Sequence, residues 1–219
     1  RILQELCVRA QVDSSRLFTK GALDRLMLAS GGVARDYLVL TSGAINKAQS
    51  RGRTSKSGTD RVIVEDVNNA AADIAPAKLT DLKEDVPQEA RELEALVYDL
   101  TEFCRFTKCA YFLIDTQDDV LSHQVDSLQN LRFANLIHES ETVPDRSSQR
   151  FNVWLLDVAM LSSQRAARNV DFDGWDKREA RRQRRLIYTV DWQDRAGAPG
   201  RDAAGRFQRT ESVRPDDGS

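Results

Sequence analysis

Apolar positions along this chain fall into short stripes separated by polar, glycine-containing breaks. Ile2, Leu3, Leu6 and Cys7 read as the end of a helix, and Ser14 and Ser15 then offer caps for a new one. Leu23, Leu26 and Met27 are spaced for one helical face, and the pattern stops at Ser30-Gly31-Gly32. It restarts with Leu38, Ile45 and Ala48 and runs to QSRGRTSKSGTD (49–60), a loop by composition. The next stretch, RVIVEDVNNAAADIA, opens with β-branched Val62, Ile63 and Val64 and continues with Glu65 and Asp66. This order predicts a short extended entry into a helix, with the acids at the end the helix dipole favours. Residues 1–78 therefore read as a small all-helical unit.

Pro87 marks the next boundary. Leu93, Leu96, Val97, Leu100, Phe103 and Cys104 form one apolar helix face, and CAYFLID (109–115) is an apolar run of strand length. A second helical pattern covers about 118–134, carried by Val120, Leu121, Val125 and Leu128. LIHES (136–140) and RFNVWLLDVAM (150–160) read as two strands joined by a polar connection containing Pro144. Helix, short strand, helix and hairpin is the order of a winged helix. Residues 161–194 contain GWDKREARRQRRLIYTVDW, which predicts a charged helical extension with an apolar, β-prone end. Residues 195–219 are rich in Gly, Ala, Arg, Asp and Pro and read as a disordered tail. The chain opens at Arg1, already within a helical pattern, which predicts a fragment whose N-terminal part is missing or on another polypeptide.

With 219 residues, 41% hydrophobic and 30% charged, the composition is that of a globular protein with enough chain to bury a core. No apolar run reaches the ~18 residues of a membrane span. Cys7, Cys104 and Cys109 lack metal-ligand spacing and, with His123 and His138 the only histidines, give no reason to expect a metal site; they fit free thiols of a reducing cytoplasm. Glu65-Asp66 and Asp118-Asp119 are paired acids at adjacent positions, where side chains diverge, and read as helix caps. His138-Glu139 has no nucleophile nearby, so a triad is not expected. The net charge of −2 hides a strong asymmetry: residues 1–78 carry +4, 79–145 carry −10, 146–159 carry +1 and 160–219 carry +3.

The sharpest local feature is SGGVARDYL, residues 30–38. Glycine takes the left-handed conformation without steric cost, so Gly31 and Gly32 end one helix and turn the chain into the next. The new helix starts near Val33 or Ala34 and places Arg35 in its first turn. A cation there is disfavoured by a few tenths of a kcal/mol, so a partner is expected: a local acid, Asp24 or Asp36, or an anion brought from outside.

LFTKGALDRLMLASGGVARDYLVLTSGAINKA followed by RVIVEDVNNAA resembles the helical lid domain of AAA+ and STAND-type P-loop ATPases. In those families a Gly-Gly-x-x-Arg turn carries an arginine that reaches the γ-phosphate of ATP held on a neighbouring domain, and Gly31, Gly32 and Arg35 match it. In many of them a winged helix follows the lid, and LRFANLIHES with RFNVWLLDVAML looks similar to its third helix and wing. The resemblance covers roughly residues 1–160. It implies a mainly α protein: a helical lid-like domain (1–78), an α+β winged-helix domain (87–160), the charged extension and the tail. It also implies ATP as a ligand shared with an absent N-terminal ATPase domain. The chain has no G-x-x-x-x-G-K-[ST] loop, since GRTSKSGT (52–59) has the composition without the spacing, and no Walker B strand. Alone it is therefore expected to be non-catalytic.

A winged helix raises the question of DNA. Outward residues of the second helical pattern include Gln124, Asp126, Gln129, Asn130 and Arg132, and Gln, Asn and Arg can read bases. Arg132, Arg146 and Arg150 are the candidates for phosphate, but the −10 charge of 79–145 works against them. Contact with a protein partner, another copy or the ATPase module is an equal expectation. In KREARRQRR (177–185), Arg178, Arg181, Arg182 and Arg185 would line one helix side, for nucleic-acid phosphate or for pairing with the acidic middle of the chain. The alternatives to an ATPase region are a stand-alone DNA-binding regulator and a protein-interaction module without a nucleotide.

Overall fold

The computed structural model describes residues 5, 9, 11, 13–54, 61–143, 146–162, 170–172 and 183–193. It divides into two units, Arg1–Ile187 and Tyr188–Ser219. Of the second, residues 188–193 are described, and there the Trp192 N–H donates to the Thr189 carbonyl at 2.9 Å. The first unit is mainly helical with one three-stranded antiparallel sheet.

Helix α1 (Ser14–Leu17) is capped by Asp13, which accepts from the Ser15 N–H at 2.8 Å. Helix α2 (Lys20–Ala29) is capped by Thr19, whose hydroxyl accepts from the Ala22 N–H. Phe18 lies between them and forms a bridge with Val62, so the β-branched entry to the next helices is extended as its sequence predicts. α2 ends at Ser30, and Gly31 and Gly32 follow with φ of 55° and 80°. The Gly31 N–H returns to the Leu28 carbonyl at 3.2 Å, which is the expected left-handed cap.

Helix α3 (Ala34–Thr54) buries Leu40, Thr41, Ala44 and Ala48. Of the expected stripes Leu26 and Ala48 hold, but Met27 and Leu38 are 59% and 40% exposed. The contacting face is turned toward smaller residues, because α3 packs closely on helix α4 (Val64–Asp85), with Gly43 against Ala70. At the start of α4, Asp66 accepts from the Ile63 N–H at 3.0 Å and from Arg51 Nε and Nη2 at 3.1 and 2.9 Å. Arg51 Nη2 also donates to the Arg61 carbonyl, so this fork joins the end of α3 to the start of α4.

α4 passes through Pro76 without a break and touches α2, α3, helix α5 (Ala90–Thr107) and helix α7 (Val158–Ser162). It thus runs past residue 78, the expected end of the first domain, and packs on elements from both halves of the chain. α5 buries Leu93, Leu96, Val97, Leu100, Phe103 and Cys104, as their spacing predicts. Burial pushes the Cys104 thiol well up, with nearby Cys109 adding to the effect and Arg105 opposing it; both cysteines are buried and free.

Strand β1 (Tyr111–Asp115) is followed by helix α6 (Asp119–Asn130), capped by Asp118. In α6 Leu121, Val125 and Leu128 are buried, but Val120 is 72% exposed. Strands β2 (Ala134–Val143) and β3 (Arg146–Leu156) complete the sheet in the order β1-β3-β2, with Tyr111 opposite Leu155 and Asp115 opposite Phe151. The second strand ends four residues earlier than its apolar run. Asp157 stops it, and VAM belongs to α7 instead of the sheet.

The free edge of β1 is covered by chain from the expected charged extension. The Ala110 N–H donates to the Asp171 carbonyl at 3.0 Å, and the Leu113 N–H to Leu186 at 2.8 Å. Asp171 and Ile187 are bridge partners of Cys109 and Leu113, so the expected helix is not met at Asp171, while Ile187 falls in the apolar end expected to be β-prone. Residues 163–169 and 173–182, with most of the basic run, and the tail from 194 lie outside the described residues.

The two glycines separate conformational cost from packing cost. Gly32→Ala meets open space and costs about 1 kcal/mol from its left-handed backbone alone. Gly31→Ala also brings a Cβ to 3.0 Å from Asn135 Oδ1, and costs about 2 kcal/mol. Urea unfolding of both variants is expected to rank them in that order.

Candidate functional site

The turn from α2 to α3 opens onto a cleft of about 310 Å³. Its walls are the first two turns of α3 (Arg35, Asp36, Val39, Leu40), the α4 face from Ala71 to Asp85, the turn joining α6 to β2, and Asp157 with Ala159 at the start of α7. Three cations and four acids line it.

At its floor Lys78 is paired with Asp157. Asp157 is 4% exposed and does several things at once. Its Oδ1 accepts from the Ala159 N–H at 3.0 Å, capping α7, and its own N–H donates to the Phe133 carbonyl at 2.9 Å. Burial raises the Asp157 carboxyl above its ordinary value; Lys78 and the Ala159 N–H oppose that, and Asp36 adds to it. Lys78 Nζ makes a second bond, to the Arg132 carbonyl at 3.1 Å. One ammonium therefore ties α4 to both the β3–α7 junction and the α6–β2 turn.

That turn is built on an unusual residue. The Phe133 N–H returns to Leu128 at 2.8 Å and the Arg132 N–H to Gln129 at 2.9 Å, the two bonds of a Schellman motif, with Phe133 and Leu128 both buried. The left-handed position of this motif usually holds glycine, but here it holds Arg132, at φ 63°. Its guanidinium Nη1 donates to Asp36 at 3.0 and 3.3 Å. The pair is half in solvent, with Arg132 55% exposed.

Arg35, one residue before Asp36, is exposed and makes no hydrogen bond or ion pair among the described residues. The placement in the first turn of α3 agrees with the sequence, but the local acids do not take it as a partner. Asp36 is engaged by Arg132, and Asp24 makes no pair with Arg35. Across the cleft, Asp81 and Asp85 lie one turn apart on α4, both exposed.

The other expected contact residues are scattered. Arg132 faces Asp36 across the cleft, Arg146 donates to Gln149 at 3.3 Å, and Arg150 is exposed on β3 with its carbonyl accepting from Thr116. Arg185 is exposed, whereas Arg178, Arg181 and Arg182 lie outside the described residues. Helix α6 itself carries Asp119 and Asp126 and neither Lys nor Arg. Among the described residues no group of three or more His, Cys, Asp and Glu is placed to hold a metal, and no helix is long and apolar enough to cross a membrane.

Lys78 and Asp157 were not singled out by sequence, although each leaves a trace. Lys78 continues the α4 spacing of Ala71, Ala75 and Leu82, so it is a lysine within an apolar stripe. Asp157 falls between an apolar run and VAML, the position of a helix cap. Comparison with known protein families, characterised proteins and solved structures finds no match for this chain.

Removing one partner of the floor pair tests it. Lys78→Met leaves a buried carboxylate alone and is expected to cost about 3 kcal/mol at pH 7. Asp157 already has a folded-state value raised above its unfolded one, and losing Lys78 raises it further. Its protonation then favours the folded state, an advantage complete below the unfolded value near 3.8 and lost as pH rises through the folded value. The deficit of Lys78→Met relative to the parent should therefore shrink between pH 7 and pH 4.5, as read by urea unfolding.

Proposed function

We propose that this chain is the sensing region of an AAA+/STAND-like ATPase, in which α2–α4 act as the lid and Arg35 meets the terminal phosphate of ATP. The observation that carries this reading is the state of Arg35. A guanidinium in the first turn of a helix, after a Gly-Gly cap, is left exposed and without a partner among the described residues, while the acid beside it is taken by another arginine. The helix end adds its own N–H groups and positive dipole for an anion. The residues for cleaving ATP lie elsewhere, on a nucleotide-binding domain that this chain does not contain, so its part is to sense the nucleotide and not to hydrolyse it.

In the same reading, α5 to β3 form a winged-helix-like part. The order helix, strand, helix, hairpin and the sheet order β1-β3-β2 support it. Its proposed role is contact with a protein partner or the ATPase module in preference to DNA. An acidic α6 has no cation for phosphate, and Arg132 at its end is turned to Asp36.

The test is made in the intact assembly that supplies the nucleotide-binding domain. Arg35→Ala should lower ATP hydrolysis at least tenfold with unchanged thermal unfolding, because the substituted residue is exposed. Hydrolysis and ATP affinity equal to the parent would remove Arg35 from the site. Binding of the chain to duplex DNA that weakens steeply with salt would restore the DNA-reading alternative.

A further inference from the structure

We propose that Arg132 is a second phosphate-contacting residue of this cleft, held in reserve by Asp36 and released when an anion arrives at Arg35. This rests on the phosphate reading of Arg35 and adds to it a residue from the other half of the chain.

The charge of the cleft makes one arginine insufficient. With every group ionised, Arg35, Lys78 and Arg132 face Asp36, Asp81, Asp85 and Asp157, a net of −1. Lys78 is committed to Asp157 at the floor. An incoming polyphosphate therefore meets one free guanidinium and two exposed carboxylates. A direct contact from a second guanidinium offsets that repulsion, and Arg132 is the residue placed for it. It lines the same cleft, and its present partner is the neighbour of Arg35.

The Asp36–Arg132 pair is also suited to exchange. Half-exposed ion pairs contribute little to stability; Arg132 holds Asp36 through Nη1 alone, whereas a phosphate carries more charge and can take arginine in a two-nitrogen fork. The backbone adds a separate reason. Arg132 occupies a left-handed position where glycine would fit without strain, so the side chain is present despite a backbone that disfavours it. Because the Arg132 carbonyl is held by Lys78, the guanidinium swings while the turn stays anchored. The exchange leaves Asp36 unpaired beside Arg35, and the event is felt at the α6–β2 turn.

The experiment uses inorganic tripolyphosphate and the 219-residue chain, by calorimetric titration at low salt. The parent should bind weakly, and Arg35→Ala should lose binding. Asp36→Asn, which frees Arg132, should tighten binding at least fivefold. Adding Arg132→Gly to Asp36→Asn should return the affinity to the parent value or below. Arg132→Gly removes the guanidinium while relieving the left-handed backbone, so this variant keeps the fold, as unfolding curves will check. If Asp36→Asn tightens binding equally with Arg132 replaced by glycine, the gain is general electrostatics and the reserve role is overturned, with the Arg35 site intact. If it does not tighten binding at all, the same conclusion holds. If no variant binds, or binding ignores Arg35→Ala, the reserve role is overturned, while ATP hydrolysis by Arg35→Ala in the intact assembly decides the Arg35 reading separately.

Discussion

The Lys78–Asp157 pair is the interaction around which the molecule is arranged. Asp157 is buried and Lys78 mostly so, and the carboxylate alone would carry a desolvation penalty of several kcal/mol. Together they are satisfied by further bonds: Asp157 caps α7, and Lys78 holds the carbonyl of the α6–β2 turn. A hydrophobic pair of the same size would bury well but would not fix three backbone segments in one place. The pair thus serves position more than stability, and it makes α4 the common wall between α2 and α3 on one side and α5 and α7 on another.

That common wall has a consequence for how the two halves relate. α4 packs on α2 and α3 on one side and on α5 and α7 on another. The cleft is formed where these contacts diverge, with α3 as one lip and the α6–β2 turn as the other. Arg35 and Arg132 come from residues almost a hundred positions apart, and they share a site because α4 joins their elements. A ligand at one lip is then in mechanical reach of the other without any change in the core.

The acids on the far wall shape what this cleft accepts. Asp81 and Asp85 would repel a bare anion, and Asp36 would hold Arg132 against it. In the proposed reading, a group would need enough negative charge to recruit both guanidiniums.

Local physics was legible in the sequence and long-range pairing was not. The Gly31-Gly32 cap, the start of α3 at Arg35, the face of α5 and the Asp118 cap follow from backbone preference and helical period, which act within a few residues. The sequence also carries the order of elements that ends in the three-stranded sheet. It misled where burial depends on a neighbour: Met27, Leu38 and Val120 are apolar at helical spacing yet exposed, because nothing packs over them. VAM follows an apolar strand without a polar break except Asp157, and only the tertiary position of that carboxylate, capping α7 and meeting Lys78, turns the chain into a helix. The partner of Arg132 was equally hidden. An arginine beside a helix end reads as a DNA contact, and only the packing of α3 and the α6–β2 turn against α4 brings Asp36 to it. Sequence determined which residues can turn, cap and stripe; tertiary structure decided which charges meet, since that depends on elements brought together from far along the chain.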